Sequence, residues 1–94
     1  MANILVHHKV EDYNKWKPFY DGHASFRSQM GAKSGKVFHS ADNPNDIFIL
    51  FEWDSIESAK KFSQSENLKE AMKNSGVIGM PEIHFLEEYF SVKA

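Results

Sequence analysis

Residues 4–9 begin with the aliphatic run Ile4, Leu5, Val6 and then turn polar, a length and composition that suit a β-strand. Asp12 then offers a side-chain acceptor to the free N–H groups of a following helix, and Gly31 stands where a left-handed residue would end it. Between them, a spacing of about 100° per residue puts Trp16, Phe19, Tyr20, His23, Phe26, Arg27 and Met30 on one face of an amphipathic helix. Pro18 lies inside that pattern, so residues 13–17 are expected as a separate 3₁₀ turn, with the regular helix starting at Pro18. Residues 36–41 and 47–53 read as two strands joined by the turn chemistry of Asp42, Asn43, Pro44, Asn45 and Asp46. The second of these is apolar at nearly every position, as in a strand covered on both faces. Asp54 or Ser55 caps a second helical region in which Ile56, Ala59, Phe62, Leu68, Ala71 and Met72 recur until Gly76, broken around residues 63–66. After Pro81, residues 82–90 form a last strand, with Ile83, Phe85 and Tyr89 on one face.

Strand, helix, strand, strand, helix, strand is a βαββαβ order, which predicts a ferredoxin-like α+β fold: an antiparallel sheet with the helices on one face. Ninety-four residues make a single domain, 1–94, because two cores of half that size would each be too small to be stable. An apolar third strand under one helical layer leaves the other sheet face in need of a cover, and a homodimer packed through that face supplies it. Thirteen acidic residues against eleven Lys and Arg give a net charge of −2, so no basic field exists to attract nucleic acid. No stretch approaches membrane-spanning length, and the N-terminal aliphatic run is too short for a signal peptide. The absence of cysteine removes disulfides and thiolate chemistry and suits a cytoplasmic location. The informative excess is aromatic: eight Phe, two Trp and three Tyr must fill a core, an interface or a pocket.

None of the five histidines stands in a metal-ligand spacing, so no metal site is expected. His23 lies near the centre of the apolar helix face, where a neutral imidazole can act as a base or hydrogen-bond a phenol; the alternative is a core histidine satisfied by a neighbour. His8 shares strand parity with Ile4 and Val6 and so is expected to line the same cleft, while His7 faces the other way. Arg27, one turn beyond His23, either stabilises an enolate or phenolate or pairs with Glu52 or Glu88. His39 is expected opposite Ile49 in the hairpin and, with His84, at an interface or rim. Glu52, interrupting an apolar strand, reads as an ionic partner. Trp16, Phe19, Tyr20, Phe26 and Phe62 either form a slot for a flat ligand or are core. No glycine pattern cradles a phosphate.

The string from Ile49 through Phe51, Glu52, Trp53 and Asp54 to Ser55, followed by residues 62–72, resembles the strand and helix pattern of antibiotic biosynthesis monooxygenase domains. Residues 10–13, Trp16 and Lys17, residues 42–44, and the stretch from Gly76 to Pro81 extend the resemblance over essentially the whole chain, without any catalytic signature. It implies a homodimeric α+β barrel with an apolar cleft between helices and sheet in each protomer. Some members of that family oxidise quinols or polyketide aromatics with no metal or flavin, while others cleave haem. The haem-cleaving branch carries a tryptophan and a histidine ligand at positions that match Phe62 and Met72 of this chain, and an asparagine where it has His7 and His8, so no cofactor is expected. Two functions follow. One is a cofactor-independent monooxygenase with His23 or His8 as base, Arg27 as charge stabiliser, and Trp16, Tyr20, Phe62 and Met72 binding a small apolar or aromatic substrate. The other is a non-catalytic ligand-binding or structural homodimer of the same fold.

Overall fold

The computed structural model describes residues 2–93. Its elements run β1 (Ala2–Val10), α1 (Tyr13–Gly22), α2 (Ala24–Met30), β2 (Ala32–His39), β3 (Asp46–Trp53), α3 (Ile56–Ser63), α4 (Glu66–Asn74) and β4 (Val77–Glu87). All pairings are antiparallel and the strand order is β2-β3-β1-β4, so the two central strands are the first and third in sequence. This is the ferredoxin-like α+β arrangement the element order predicts. No helix among the described residues is long and apolar enough to cross a membrane.

Pairing of β1 with β3 sets which side chains meet the helices. Ile4 lies opposite Phe51, Val6 opposite Ile49 and His8 opposite Ile47, so even positions of β1 share a face with odd positions of β3. That face is buried: Ala2, Ile4, Val10, Ile47, Ile49, Phe51 and Trp53 form the core with Trp16 of α1 and Ala59 and Phe62 of α3. The opposite face of β3 carries Phe48, Leu50 and Glu52, and it is open; the strand is apolar throughout but covered on one side within the protomer.

Several element boundaries differ from the sequence reading. Pro18 sits within α1, and the helix is interrupted instead at His23, which caps the end of α1 and the start of α2 with φ −90° and ψ 0°. Gly22, a poor helix former, precedes the break, and the His23 N–H turns back to the Tyr20 carbonyl at 3.2 Å. β2 begins at Ala32 rather than at residue 36, because Gly31 (φ 125°) turns the chain directly into the sheet and its carbonyl accepts the Asp54 N–H at 2.9 Å. A Cβ there would lie 2.5 Å from Asp54 Oδ1, so any other residue would have to push that carboxylate aside as well as adopt a positive φ. In the hairpin, His39 pairs with Ile47, not Ile49, since the loop closes with the Ser40 N–H donating to the Asp46 carbonyl.

The last strand starts at Val77 and runs through Pro81. The register shifts between His7 and Lys9 against this stretch, where Gly79 has φ 69°, and an edge strand tolerates a proline at such a bulge. It also ends at Glu87, so Tyr89 is not on its face: Ile83 and Phe85 pack against the core, whereas Tyr89 and Phe90 lie beyond the strand and are exposed. Ser55, not Asp54, caps α3 through the Ser58 N–H, and Ser65 caps α4 through the Leu68 N–H, each at 3.1 Å.

Candidate active site

The even face of β1 and the odd face of β3 form the floor of a cavity of about 70 Å³ roofed by α1, α2, α3 and α4. His8, His23, Arg27, Trp16, Tyr20, Phe62 and Met72 all line it, so the structure brings together every residue singled out as catalytic or substrate-binding. The walls are aromatic. Trp16 stacks on Tyr20 with ring centres 4.8 Å apart, and Phe62 packs on Trp53 at 4.9 Å and Phe26 at 5.8 Å. A shallow groove lined by Pro18, Phe19, Gly22, His23 and Ala71 shares Phe19, His23 and Ala71 with the cavity, which places the mouth between α1 and α4. Phe19, on the rim, is 45% exposed.

The cavity is about half the ~150 Å³ that holds a single benzene ring in an engineered protein core, so an aromatic ligand enters only by displacing a wall. The wall with the least burial is α4: Leu68, Ala71 and Met72 face the cavity, and no residue of that helix is fully buried. Its tie to the rest of the mouth is a 2.6 Å hydrogen bond from His23 Nε2 to Asn67 Oδ1.

His23 stands at that mouth because the helix break falls on it. His8 is at depth: it is 7% exposed, meets Trp16 edge-on at 5.7 Å, and neither ring nitrogen has a hydrogen-bond partner. Burial, with a smaller push from neighbouring His7, lowers its pKa to about 4, so it is neutral at physiological pH. Trp53 Nε1 is the other buried unpartnered polar atom lining the cavity. Arg27 is buried, and among the described residues it has no carboxylate partner: Glu52 points to the open face, and Nη1 donates to the Tyr20 carbonyl at 2.8 Å. The guanidinium lies 3.9 Å from the Tyr20 ring centre and 5.9 Å from that of Phe51. Burial lowers the Arg27 pKa and raises that of Tyr20, which leaves a cation without an ion pair, acted on by Asp21 only at longer range, beside a neutral phenol.

The other histidines lie outside the cavity. His7, on the open sheet face, stacks flat on Phe48 at 4.2 Å and donates to Asp46 Oδ1 at 2.6 Å, a bond that raises its pKa above the ordinary value. His39 hydrogen-bonds the Ser40 carbonyl, and His84 lies on the open face 3.9 Å from Glu82. Glu52 has no ion-pair partner among the described residues. Among the same residues, no three of His, Asp and Glu are gathered as a metal ion requires.

Sequence reasoning missed Asn67 and Trp53. Asn67 is a polar residue in the first turn of α4 with no periodic signal to mark it, whereas Trp53 shares strand parity with Ile47, Ile49 and Phe51 and was legible in principle. The neutral state of His8 has a measurable consequence. The unfolded state takes up the His8 proton near pH 6.5 and the folded state only near 4, so the stability tied to neutral His8 is full above 6.5 and lost as pH falls towards 4. Between those limits the wild-type protein should lose about 3 kcal/mol more than His8→Leu, measured by urea unfolding at each pH; parallel pH slopes would contradict a buried neutral His8.

At the level of sequence, no family model matches the chain and no curated protein is significantly similar to it. Solved structures do match over nearly their whole length. A Bordetella bronchiseptica protein whose name provisionally assigns it as an antibiotic biosynthesis monooxygenase superposes with a TM-score of 0.80 at 13% identity, over 95% of this chain and 97% of its own. SnoaB from Streptomyces nogalater, described as a cofactor-independent oxygenase, superposes at 0.79 with 8% identity, over 99% of this chain and 97% of its own. A conserved protein from Methanosarcina mazei Go1 gives 0.62 at 18% identity, over 93% of this chain and 91% of its own. The strand order, the paired helices and these superpositions give the chain the fold of the antibiotic biosynthesis monooxygenase structures.

Proposed function

We propose that the chain belongs functionally with the antibiotic biosynthesis monooxygenases and is a cofactor-independent oxygenase acting on a small aromatic, quinol or polyketide-like substrate. The observation that carries this reading is the meeting of a solvent-reachable imidazole, an unpaired guanidinium and aromatic walls in one cleft. His23 is the base. At the mouth it can pass a proton on to water, and its hydrogen bond to Asn67 orients the ring. Arg27 favours the oxyanion that forms, because a cation with no carboxylate partner at a largely apolar site strongly lowers the cost of a nearby phenolate or enolate. Trp16, Tyr20, Phe62 and Met72 hold the flat body of the ligand. The deprotonated substrate gives an electron to dioxygen, the two radicals combine, and water is lost: one oxygen atom enters the product as a new carbonyl and the other leaves in water. The fold shared with SnoaB supports the assignment without naming a substrate.

In this reading the active form is a homodimer joined through the open sheet face. Phe38, Leu50 and Leu86 lie there, exposed by 53%, 38% and 41%, around the stacked pair of His7 and Phe48. Light scattering at micromolar concentration should give twice 10.8 kDa, and Leu50→Glu should give the monomer mass. A monomeric wild-type protein would overturn the sheet-to-sheet dimer.

Oxygen consumption with anthrols, hydroquinones and catechols, in the presence of a chelator and without added flavin, tests the chemistry. His23→Ala should reduce the rate ~10²-fold or more and Arg27→Met by a comparable factor. No uptake by the wild-type protein, together with ligand-induced changes in tryptophan fluorescence, would replace the oxygenase by a non-catalytic binding homodimer.

A further inference from the structure

The ring of His8 packs against Trp16, but its two nitrogens have no structural task. A ring that held β1 to α1 by hydrogen bonding would donate or accept at one of its nitrogens, yet both are buried without a partner, and a leucine in the same place would spare the fold the cost of two unpaired polar atoms. It also stands at the end of the cavity away from Arg27. Arg27 sits over Phe51, which is opposite Ile4; His8 is four residues further along β1, or ~13 Å at the rise of a strand. Between the two ends run the stacked rings of Tyr20 and Trp16, with Tyr20 beneath Arg27 and Trp16 against His8. The lining is otherwise largely apolar, so a flat ligand in the cleft meets polar groups at its two ends and hydrocarbon or aromatic surface along most of its length.

We propose that His8 is a specificity-determining residue, a neutral donor and acceptor at the inner end of the cleft that takes a hydroxyl or carbonyl oxygen at the far end of the ligand from the group held by His23 and Arg27. The proposal rests on the reading of this cleft as the ligand site. It names the ligand class more closely: an aromatic molecule oxygenated at both ends, for which two fused rings suit the separation better than one once the α4 wall has moved aside to admit them. A neutral imidazole fits this role because it can donate to a carbonyl or accept from a hydroxyl, whichever oxygen arrives. A ligand lacking the second oxygen leaves the ring unpaired, and that deficit is the source of selectivity.

Isothermal titration of the wild-type protein with 2,6-dihydroxynaphthalene and with 2-naphthol reads this preference. The diol should bind about tenfold more tightly. His8→Leu should bind both probes equally, and His8→Gln, whose amide keeps a donor and an acceptor, should retain part of the preference. A wild-type protein that does not distinguish the probes, that binds neither, or a preference that survives in His8→Leu would overturn the proposal. The result is separable from the oxygenase reading: the binding preference with no oxygen uptake leaves the role of His8 standing and removes the oxidation, while oxygen uptake with no preference does the reverse.

Discussion

The register between β1 and β3 decides the contents of both faces of this molecule. With Ile4 against Phe51 and His8 against Ile47, one histidine of an adjacent pair is sealed beneath the helices and the other is placed on the open sheet. A slip of one residue would exchange them, bringing His7 under Trp16 and turning Ile4 outward, at the cost of the whole buried face. The sheet is held from both ends. Asn45, just before β3, takes the Val10 N–H at the end of β1 on its carbonyl and the Tyr13 N–H on its side chain, each at 2.8 Å, while at the opposite end Gly31 docks on Asp54 and ties β2 to β3.

The contrast between His7 and His8 shows how little sequence distance is needed to reverse the properties of one side chain. His7 has Asp46 at 2.6 Å and an aromatic ring to stack on, and its charged form is favoured. His8 has only hydrocarbon and the edge of an indole around it, and its charged form is suppressed. The same logic separates Arg27 from the surface cations: Lys17 has Asp21 at 2.7 Å, whereas Arg27 has no carboxylate in ion-pair range among the described residues and leans on a carbonyl and two aromatic rings. Unpaired polar groups of this kind cost stability, and their concentration in one cleft is the physical reason to assign it a ligand.

The parity of Ile4, Val6 and His8 and the helical spacing of Trp16, Tyr20, His23 and Arg27 were legible in the sequence, and together they foretold the cavity walls. What could not be read was decided by tertiary context. Pro18 gave the stronger local signal for a helix break, but Gly22 and His23 took it, because a single proline costs a helix one backbone bond and some bending while the turn at His23 redirects the chain across the sheet. Pro81 likewise marks a strand start locally, yet an edge strand with a bulge admits it. The partner of His23 was out of reach: Asn67 lies 44 residues away on a helix with a polar first turn, and only the docking of α4 brings the two together.

In the proposed function, ligands enter the cleft between helices and sheet and meet His8 there. NMR of protein labelled with ¹⁵N in histidine and in the tryptophan indoles, titrated with 2,6-dihydroxynaphthalene, tests it residue by residue. The His8 ring nitrogens and the Trp16 and Trp53 indoles should shift together while His7, His39 and His84 stay in place. Shifts confined to His7 and His84, on the open sheet face, would contradict it.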